Sequence, residues 1–255
     1  MPSLPDTAIK VSQLSVVLNN HQLLEDISFT VNAGDTVAII GPNGAGKSIL
    51  LKTILRLIPK KSGTIEIFGQ NHERYAHVAP LISYIPQHLN FEDNFPLTVM
   101  GLFMLKSRRR LGSSREERTR ATELLTEVGM SGFNQAPLSS LSGGQLQRVL
   151  IAYSLMDSPR IIFMDEPVSG IDTKGQETVY NLLTRLQAQH HLTLVLVSHE
   201  LDIVLRFADQ VVCLNQKLYC VGAPHHVLSN EVLEKMYGTQ VDHQAHIHHS
   251  HYDHR

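Results

Sequence analysis

Apolar residues follow two patterns along the second half of this chain, short continuous runs and helical repeats, and the two alternate. The runs Ile161–Met164 and Leu194–Val197 are bounded by polar or turn-forming residues, as buried strands are. Between them, apolar residues from Val179 to Leu186 recur at i, i+3, i+4 and i+7, the spacing of one helix face. Continuous apolar strands alternating with helices predict a parallel sheet covered on both faces.

The sequence of the first third of the chain predicts strands, and that of the middle predicts helices. Helix formers dominate residues 88 to 159, which we expect to form a helical insert, and a helix is expected at Ile49–Ile58. A hairpin is expected from Val211–Leu214 and Leu218–Val221. The early strands are expected at Ile9–Val17, Ile27–Val31, Thr36–Ile40, Gly63–Gly69 and Leu81–Ile85. We therefore predict an α/β fold with a parallel-sheet core, an N-terminal antiparallel β portion and a helical insert.

Composition narrows the classes of protein. At 255 residues and 42% apolar content, the chain can form one large core with an insert, and its formal net charge of −2 does not suggest nucleic-acid binding. The two cysteines, Cys213 and Cys220, are interpreted as buried apolar residues of a reduced protein without a disulfide framework. No signal peptide and no apolar run approaching about 20 residues is found, so we expect a cytosolic chain whose membrane role comes through a partner.

A glycine-rich loop directly after the buried strand Thr36–Ile40 carries the chemistry. Its pattern is Gly-x-x-x-x-Gly-Lys-Ser, and a helix is predicted to follow. The glycines let main-chain N–H groups surround phosphate oxygens, and the helix adds its N-terminal partial positive charge. The lysine can reach the β- and γ-phosphates, and the serine hydroxyl can ligate Mg²⁺. We therefore predict nucleoside triphosphate binding by Gly41, Pro42, Asn43, Gly44, Ala45, Gly46, Lys47 and Ser48.

Further motifs follow this loop in a fixed order. Gln87 comes after the strand at Leu81–Ile85, and Leu-Ser-Gly-Gly-Gln at 141–145 precedes a helix. An apolar strand delivers Asp165 and Glu166, Ser-Gly-Ile-Asp follows at 169–172, and His199 comes after another apolar strand. Over roughly residues 9 to 238 the chain resembles the ATP-binding subunits of ABC transporters. We expect that ATPase domain to span residues 1–240 and a His-rich, disordered tail to span 241–255.

The resemblance implies roles for five side chains in ATP hydrolysis. Asp165 would hold Mg²⁺ together with Ser48 and Gln87. Glu166 would act as general base on the attacking water. His199 would contact the γ-phosphate and orient that water, and Gln87 would sense the γ-phosphate and connect the core to the insert.

The resemblance also implies a second copy of the chain. The segment Ser142, Gly143, Gly144 and Gln145 opens a helix, which makes it a second anion site. In the family this segment closes over the ATP of the other subunit in a head-to-tail homodimer, and Asp172 would lie at that interface. Leu18 occupies the position where the family has an aromatic residue that stacks on adenine, so we expect weaker base selectivity and acceptance of GTP.

The transported solute is a separate question, because these motifs contact only ATP. A single cassette without membrane segments favours an importer subunit on the cytoplasmic face of the inner membrane, with a permease dimer and an extracytoplasmic binding protein as partners. The stretch Asp209–Gly222 and the residues after Asp172 resemble bacterial zinc importer ATPases. Zinc is therefore the expected cargo. Manganese, iron or another solute remains an alternative, as does a non-transport ATPase that acts on ribosomes or DNA.

Six histidines fall in the last thirteen residues: His243, His246, His248, His249, His251 and His254. Imidazole suits Zn²⁺ better than Mg²⁺ or Ca²⁺, so Zn²⁺ binding by this tail is expected, loose and weakly selective. A purification tag and a merely polar, disordered end are the alternatives, although a tag would normally be an unbroken run of histidines.

Overall fold

The computed structural model describes residues 5–87, 97–106 and 115–237. Within these residues the ten strands are β1 (Thr7–Leu18), β2 (His21–Asn32), β3 (Thr36–Ile40), β4 (Ser62–Ile67), β5 (Gln70–Asn71), β6 (Ile82–Ile85), β7 (Ile161–Asp165), β8 (Thr193–Val197), β9 (Gln210–Asn215) and β10 (Lys217–Gly222). The same described residues contain nine α-helices: α1 (Lys47–Ile54), α2 (Tyr75–Val78), α3 (Val99–Met104), α4 (Arg115–Glu127), α5 (Gly143–Ser154), α6 (Thr173–His190), α7 (Leu201–Phe207), α8 (Pro224–Val227) and α9 (Asn230–Tyr237).

The strands form two sheets. A four-stranded antiparallel sheet has the order β2-β1-β4-β5, and a six-stranded sheet has the order β10-β9-β3-β8-β7-β6. The pairs from β9 to β6 are parallel, and β10 runs antiparallel to β9. The predicted α/β fold with an antiparallel N-terminal portion is confirmed.

Burial explains which strands lie at the centre. Every residue of β3, β7 and β8 is buried, as expected for parallel strands covered on both faces. In β1 and β2 buried and exposed residues largely alternate, because one face of that sheet packs on the core. Two main apolar clusters result. One lies between the two sheets, and the other lies between the six-stranded sheet and α3–α6.

Helices account for the described part of the predicted insert. Residues 97–106 and 115–159 contain α3, α4 and α5, while 88–96 and 107–114 lie outside the described residues. Glu127 at the end of α4 accepts from His190 at 2.8 Å, and its carbonyl accepts from Arg185 at 2.6 Å. These contacts join α4 to α6.

Several local predictions differ from the structure. The second strand begins at His21 rather than Ile27, and α1 ends at Ile54 rather than Ile58 because Arg56 adopts a left-handed conformation. The interpretation of the cysteines is wrong in one part: Cys213 is buried in the apolar core as expected, but Cys213 and Cys220 lie opposite each other on β9 and β10 and form a disulfide. The His-rich tail and its boundary at 241 lie outside the described residues, so both stay predictions.

Candidate nucleotide site

The phosphate loop connects β3 to α1, as its sequence predicts. Gly44 and Gly46 have φ angles of 80° and 95°, in the left-handed region that glycine adopts without strain. Gly46 is the N-cap of α1, so the first helical residue is Lys47 itself. The loop therefore turns the chain sharply and aims the N-terminus of α1 at its own concave side.

Lys47 is held inside this loop. Its side chain is buried, and Nζ donates to the carbonyl oxygens of Gly41 at 2.8 Å and Pro42 at 2.9 Å. Burial lowers the pKa of Lys47, while the negative charges of Glu166 and then Asp165 act in the opposite direction. A bound polyphosphate would supply further negative charge to this ammonium group.

Ser48 and Asp165 meet across the site. Ser48 Oγ donates to Asp165 Oδ1 at 3.1 Å, although 117 residues separate them. Burial raises the pKa of Asp165, and the Ser48 hydrogen bond opposes that rise. A hydroxyl and a carboxylate that lie this close are hard oxygen donors of the kind Mg²⁺ prefers, so the residues present fit this ion. Among the described residues, no cluster of three or more histidine, cysteine or acidic side chains could hold a metal.

The carboxylate of Glu166 lies close to both of the other predicted catalytic residues, Gln87 and His199. Gln87 Nε2 donates to Glu166 Oε2 at 2.5 Å, and His199 Nδ1 lies 3.6 Å from Glu166 Oε1. Glu166 has a φ of 50°, which is uncommon for a residue with a side chain and is held by main-chain bonds to Val197 and Ser169. The structure thus brings Gln87, Glu166 and His199 together as the sequence predicts.

The predicted second anion site has a clear local role. Ser142 caps α5: its Oγ accepts from Gln145 N at 3.3 Å, and the Gln145 side chain accepts from Ser142 N at 2.9 Å. Asp172 likewise caps α6 by accepting from Gly175 N at 3.2 Å. The two caps are neighbours, since a methyl group placed on Gly143 would lie 3.9 Å from the Gly170 carbonyl oxygen. Ser142, Gly143 and Asp172 are all exposed.

Two further residues contribute to the site without having been predicted. The positive charge of Lys52 lowers the pKa of Asp165, and Lys52 lies one helical turn after Ser48, an i+4 spacing that the sequence shows. Gln216, at the β9–β10 turn, donates its N–H to the Ala45 carbonyl oxygen at 2.8 Å. No sequence pattern marks that second contact. Leu18 is half-buried at the end of β1 and is paired with His21.

Comparisons with known proteins agree with this geometry. Residues 24–169 match the model of the ABC transporter family. The chain is 35% identical over 249 residues to the zinc import ATP-binding protein ZnuC of Pseudomonas syringae pv. syringae (strain B728a), covering 98% of this chain and 88% of that protein. The ZnuC protein of Marinobacter nauticus is 35% identical over 246 residues, covering 96% and 88%.

Solved structures show the same fold. The ADP conformation of an ATP-binding cassette of an ABC transporter superposes with a TM-score of 0.79 at 25% identity, covering 89% of this chain and 97% of that one. The structure of cbiO1 from Clostridium perfringens, part of an ABC transporter complex, superposes with a TM-score of 0.78 at 24% identity, covering 91% and 94%. At 24% identity, the similarity to cbiO1 shows a shared fold and carries no conclusion about function.

Proposed function

Because this chain belongs to the ATP-hydrolysing subunits of the ABC transporter family, we propose that it powers the import of zinc. The observation that carries the choice of zinc is the similarity to zinc import ATP-binding proteins over 98% of the chain. Manganese and iron importers would use the same ATP chemistry, so only the cargo separates these alternatives.

The ATP-binding step follows from the phosphate loop. The main-chain N–H groups of residues 43–48 and the Lys47 ammonium would bind the β- and γ-phosphates. Ser48 and Asp165 would hold Mg²⁺, with Gln87 as the third residue at that position. When bound, Mg²⁺ would supply positive charge that offsets the negative charge of the phosphates. Leu18 gives the base an apolar contact without an aromatic face, so we propose that GTP is also accepted.

Glu166 is the proposed general base. Its side chain is mostly buried, yet it is oriented by Gln87 on one carboxylate oxygen and faces His199 with the other. A carboxylate held from two sides can take a proton from a water molecule lined up with the γ-phosphate. His199 is exposed, and its imidazole would contact the γ-phosphate and fix the position of that water.

The exposed caps of α5 and α6 support a homodimer. Ser142, Gly143, Gly144 and Gln145 present the N-terminus of a twelve-residue helix, a favourable place for phosphate. In the proposed assembly this end of α5 covers the ATP of the partner subunit, and Asp172 lies beside it at the interface. ATP binding would close the dimer, and hydrolysis would reopen it.

A groove between the core and the insert supports a membrane permease as the second partner. It measures about 590 Å³ and is lined by core residues such as Pro80 and Ile82 and insert residues such as Phe103 and Glu117. Leu105, which follows α3, is 67% exposed. Within the described residues no helix has the length and apolar character needed to cross a membrane. We propose that the chain lies on the cytoplasmic face of the membrane by binding a permease dimer, which an extracytoplasmic binding protein supplies with the ion.

The test of this function is metal uptake by cells that lack the gene. Uptake of zinc, manganese and iron would be measured at matched low concentrations, in cells complemented with the wild-type chain or with Lys47→Ala. We expect zinc uptake alone to fall, and only the wild-type chain to restore it. Loss of manganese or iron uptake with normal zinc uptake would refute the assignment of zinc as the transported ion.

Zinc binding by the C-terminal histidines is a separate proposal, which rests on composition. Deletion of residues 243–255 should remove the weak Zn²⁺ sites seen by calorimetry, while leaving MgATP affinity intact. Unchanged Zn²⁺ binding after the deletion would contradict this assignment.

A further inference from the structure

His199 lies in the short connection between β8 and α7, and its side chain is 55% exposed. The residue before it, Ser198, is buried and donates its N–H to the Ile39 carbonyl oxygen of β3 at 3.2 Å. The residue after it, Glu200, is the N-cap of α7, and its N–H donates to Ser198 Oγ at 3.1 Å. An exposed imidazole has little packing around it, so its direction depends on how these two neighbours are fixed.

The side chain of Glu200 is fixed by a different helix. Gln176, near the start of α6, donates from Nε2 to Glu200 Oε1 at 2.9 Å. Both residues are half-buried, which shields this bond in part from water. A hydrogen bond to a carboxylate is about twice as strong as one between neutral groups. Gln176 therefore holds the residue that directly follows His199.

Two other contacts join α6 to α7, and both involve the far end of α7. Arg206 Nη2 donates to Glu177 Oε1 at 2.8 Å, and both of these side chains are more than half exposed. The rings of Tyr180 and Phe207 stack with their centroids 5.2 Å apart. These contacts hold the two helices together independently of Gln176. The bond between Gln176 and Glu200 is thus the tie that lies next to His199.

The position of His199 matters because of Glu166. His199 Nδ1 lies 3.6 Å from Glu166 Oε1, just beyond the distance of a hydrogen bond. The main chain of Glu166 is joined to the same strand end, since its N–H donates to the Val197 carbonyl oxygen at 3.1 Å. A small displacement of the imidazole therefore decides whether the two side chains can bond to each other and to one water molecule.

We infer that Gln176 is a positioning residue for His199, because its hydrogen bond to Glu200 fixes the main chain from which the imidazole faces Glu166. The inference rests on the proposed role of His199 in ATP hydrolysis. Gln176 acts through Glu200 and His199 rather than on the nucleotide itself. A misplacement of about 1 Å in a catalytic group can cost about 100-fold in rate, so one hydrogen bond can matter here.

The test compares four variants of the full-length protein. Gln176→Met removes the donor and keeps an unbranched side chain, and Glu200→Ala removes the acceptor. Glu200→Gln is the conservative variant, since its carbonyl oxygen can still accept from Gln176. Glu177→Ala is the matched control, because it breaks the exposed contact between the same two helices at 2.8 Å, away from His199.

Two kinds of measurement are made on each variant. The first is enzymatic: kcat for ATP, together with the Kd for MgATP. The second is the NMR resonance of the His199 imidazole, assigned among the fifteen histidines by its loss in His199→Ala. A contact that only stabilises the fold would change neither the resonance nor kcat at saturating ATP.

Gln176→Met and Glu200→Ala should lower kcat about tenfold, the equivalent of one hydrogen bond to a charged acceptor, and should shift the His199 resonance. Their Kd for MgATP should stay near the wild-type value, because the proposed phosphate contacts come from residues 43–48. Glu200→Gln should restore most of kcat, and Glu177→Ala should change neither kcat nor the resonance.

Wild-type kcat in Gln176→Met would overturn the inference. An equal fall in Glu177→Ala would also overturn it, since the effect would then come from the packing of α6 on α7. Absence of ATP hydrolysis by the wild-type protein would instead refute the proposed function. The resonance would still decide the inference in that case, and an unmoved resonance in Gln176→Met would overturn it.

Discussion

Replacement of Glu166 by glutamine tests the catalytic assignment with little structural disturbance. The amide keeps the shape of the side chain, and its carbonyl oxygen can still accept the hydrogen bond that Gln87 donates at 2.5 Å. The unusual φ of 50° is maintained by main-chain bonds to Val197 and Ser169, which the substitution leaves in place. We therefore expect the free energy of unfolding to change by no more than about 0.5 kcal/mol.

The expected loss of activity is large by comparison. A positioned general base contributes about 10²- to 10⁴-fold to the rate, which corresponds to about 3 to 5.5 kcal/mol of transition-state stabilisation. Affinity for MgATP should be retained, because the proposed phosphate contacts come from residues 41–48 rather than from Glu166. The nucleotide would then stay bound without being hydrolysed, and the closed homodimer should accumulate.

The assay measures ATP turnover, MgATP affinity and molecular mass in solution with MgATP present. Glu200→Gln is the matched control, since Glu200 is also partly buried near His199 but accepts its hydrogen bond from Gln176, at 2.9 Å. We expect Glu166→Gln to stop turnover and to elute as a dimer, while Glu200→Gln hydrolyses ATP. Wild-type turnover by Glu166→Gln would show that another group takes the proton.

Three further predictions concern the loop, the metal ligands and the insert. Gly41→Ala places a methyl group 2.0 Å from the Leu214 carbonyl oxygen, so the main chain must shift. Thermal unfolding should show a loss of about 1–3 kcal/mol in the free energy of unfolding, and wild-type stability would contradict this steric argument. Ser48→Ala removes the hydroxyl 3.1 Å from Asp165, and half-maximal ATPase activity should require about tenfold more Mg²⁺, which a magnesium titration measures. Glu127→Ala breaks the half-buried pair that joins α4 to α6, and chemical denaturation should show a loss of about 1 kcal/mol with ATP affinity unchanged.

The parts of the site that follow from the sequence are those in which strand, loop and functional residue are contiguous. The phosphate loop sits between a buried strand and a helix, and Asp165 and Glu166 directly follow four apolar residues. Local patterns contain that information in full. The distance of 3.1 Å between Ser48 and Asp165 depends on strand order, which the local pattern does not contain.

The error at the cysteines has a specific physical cause. Asn215 pairs with Lys217 and Leu214 with Leu218, so a regular hairpin would place Cys213 opposite Tyr219. A register shift between Leu218 and Cys220 adds one residue and brings Cys220 opposite Cys213 instead. A bulge of one residue leaves no clear mark in the apolar pattern, so the sequence could not show the pairing.

The order of strands in the six-stranded sheet explains why distant motifs form one site. The neighbours β3, β8, β7 and β6 end at the same edge of the sheet, because parallel strands share a direction. These ends carry the phosphate loop, His199, the pair Asp165–Glu166 and Gln87, in that spatial order, whereas Gln87 comes second along the chain. His199 and Gln87 thereby lie on opposite sides of Glu166.

The charges at this edge of the sheet suit a ligand that carries both positive and negative charge. Burial raises the pKa of Asp165 and lowers that of Lys47, so each charged group is disfavoured where it lies. A magnesium-bound triphosphate offers a cation to the carboxylate and an anion to the ammonium group at the same time. Neither a free cation nor a neutral ligand does both. The cost of burying these charges in the free protein would therefore be offset when the nucleotide and its metal bind together. We expect the site to bind the complex more tightly than either component, which a comparison of ATP affinity with and without Mg²⁺ would measure.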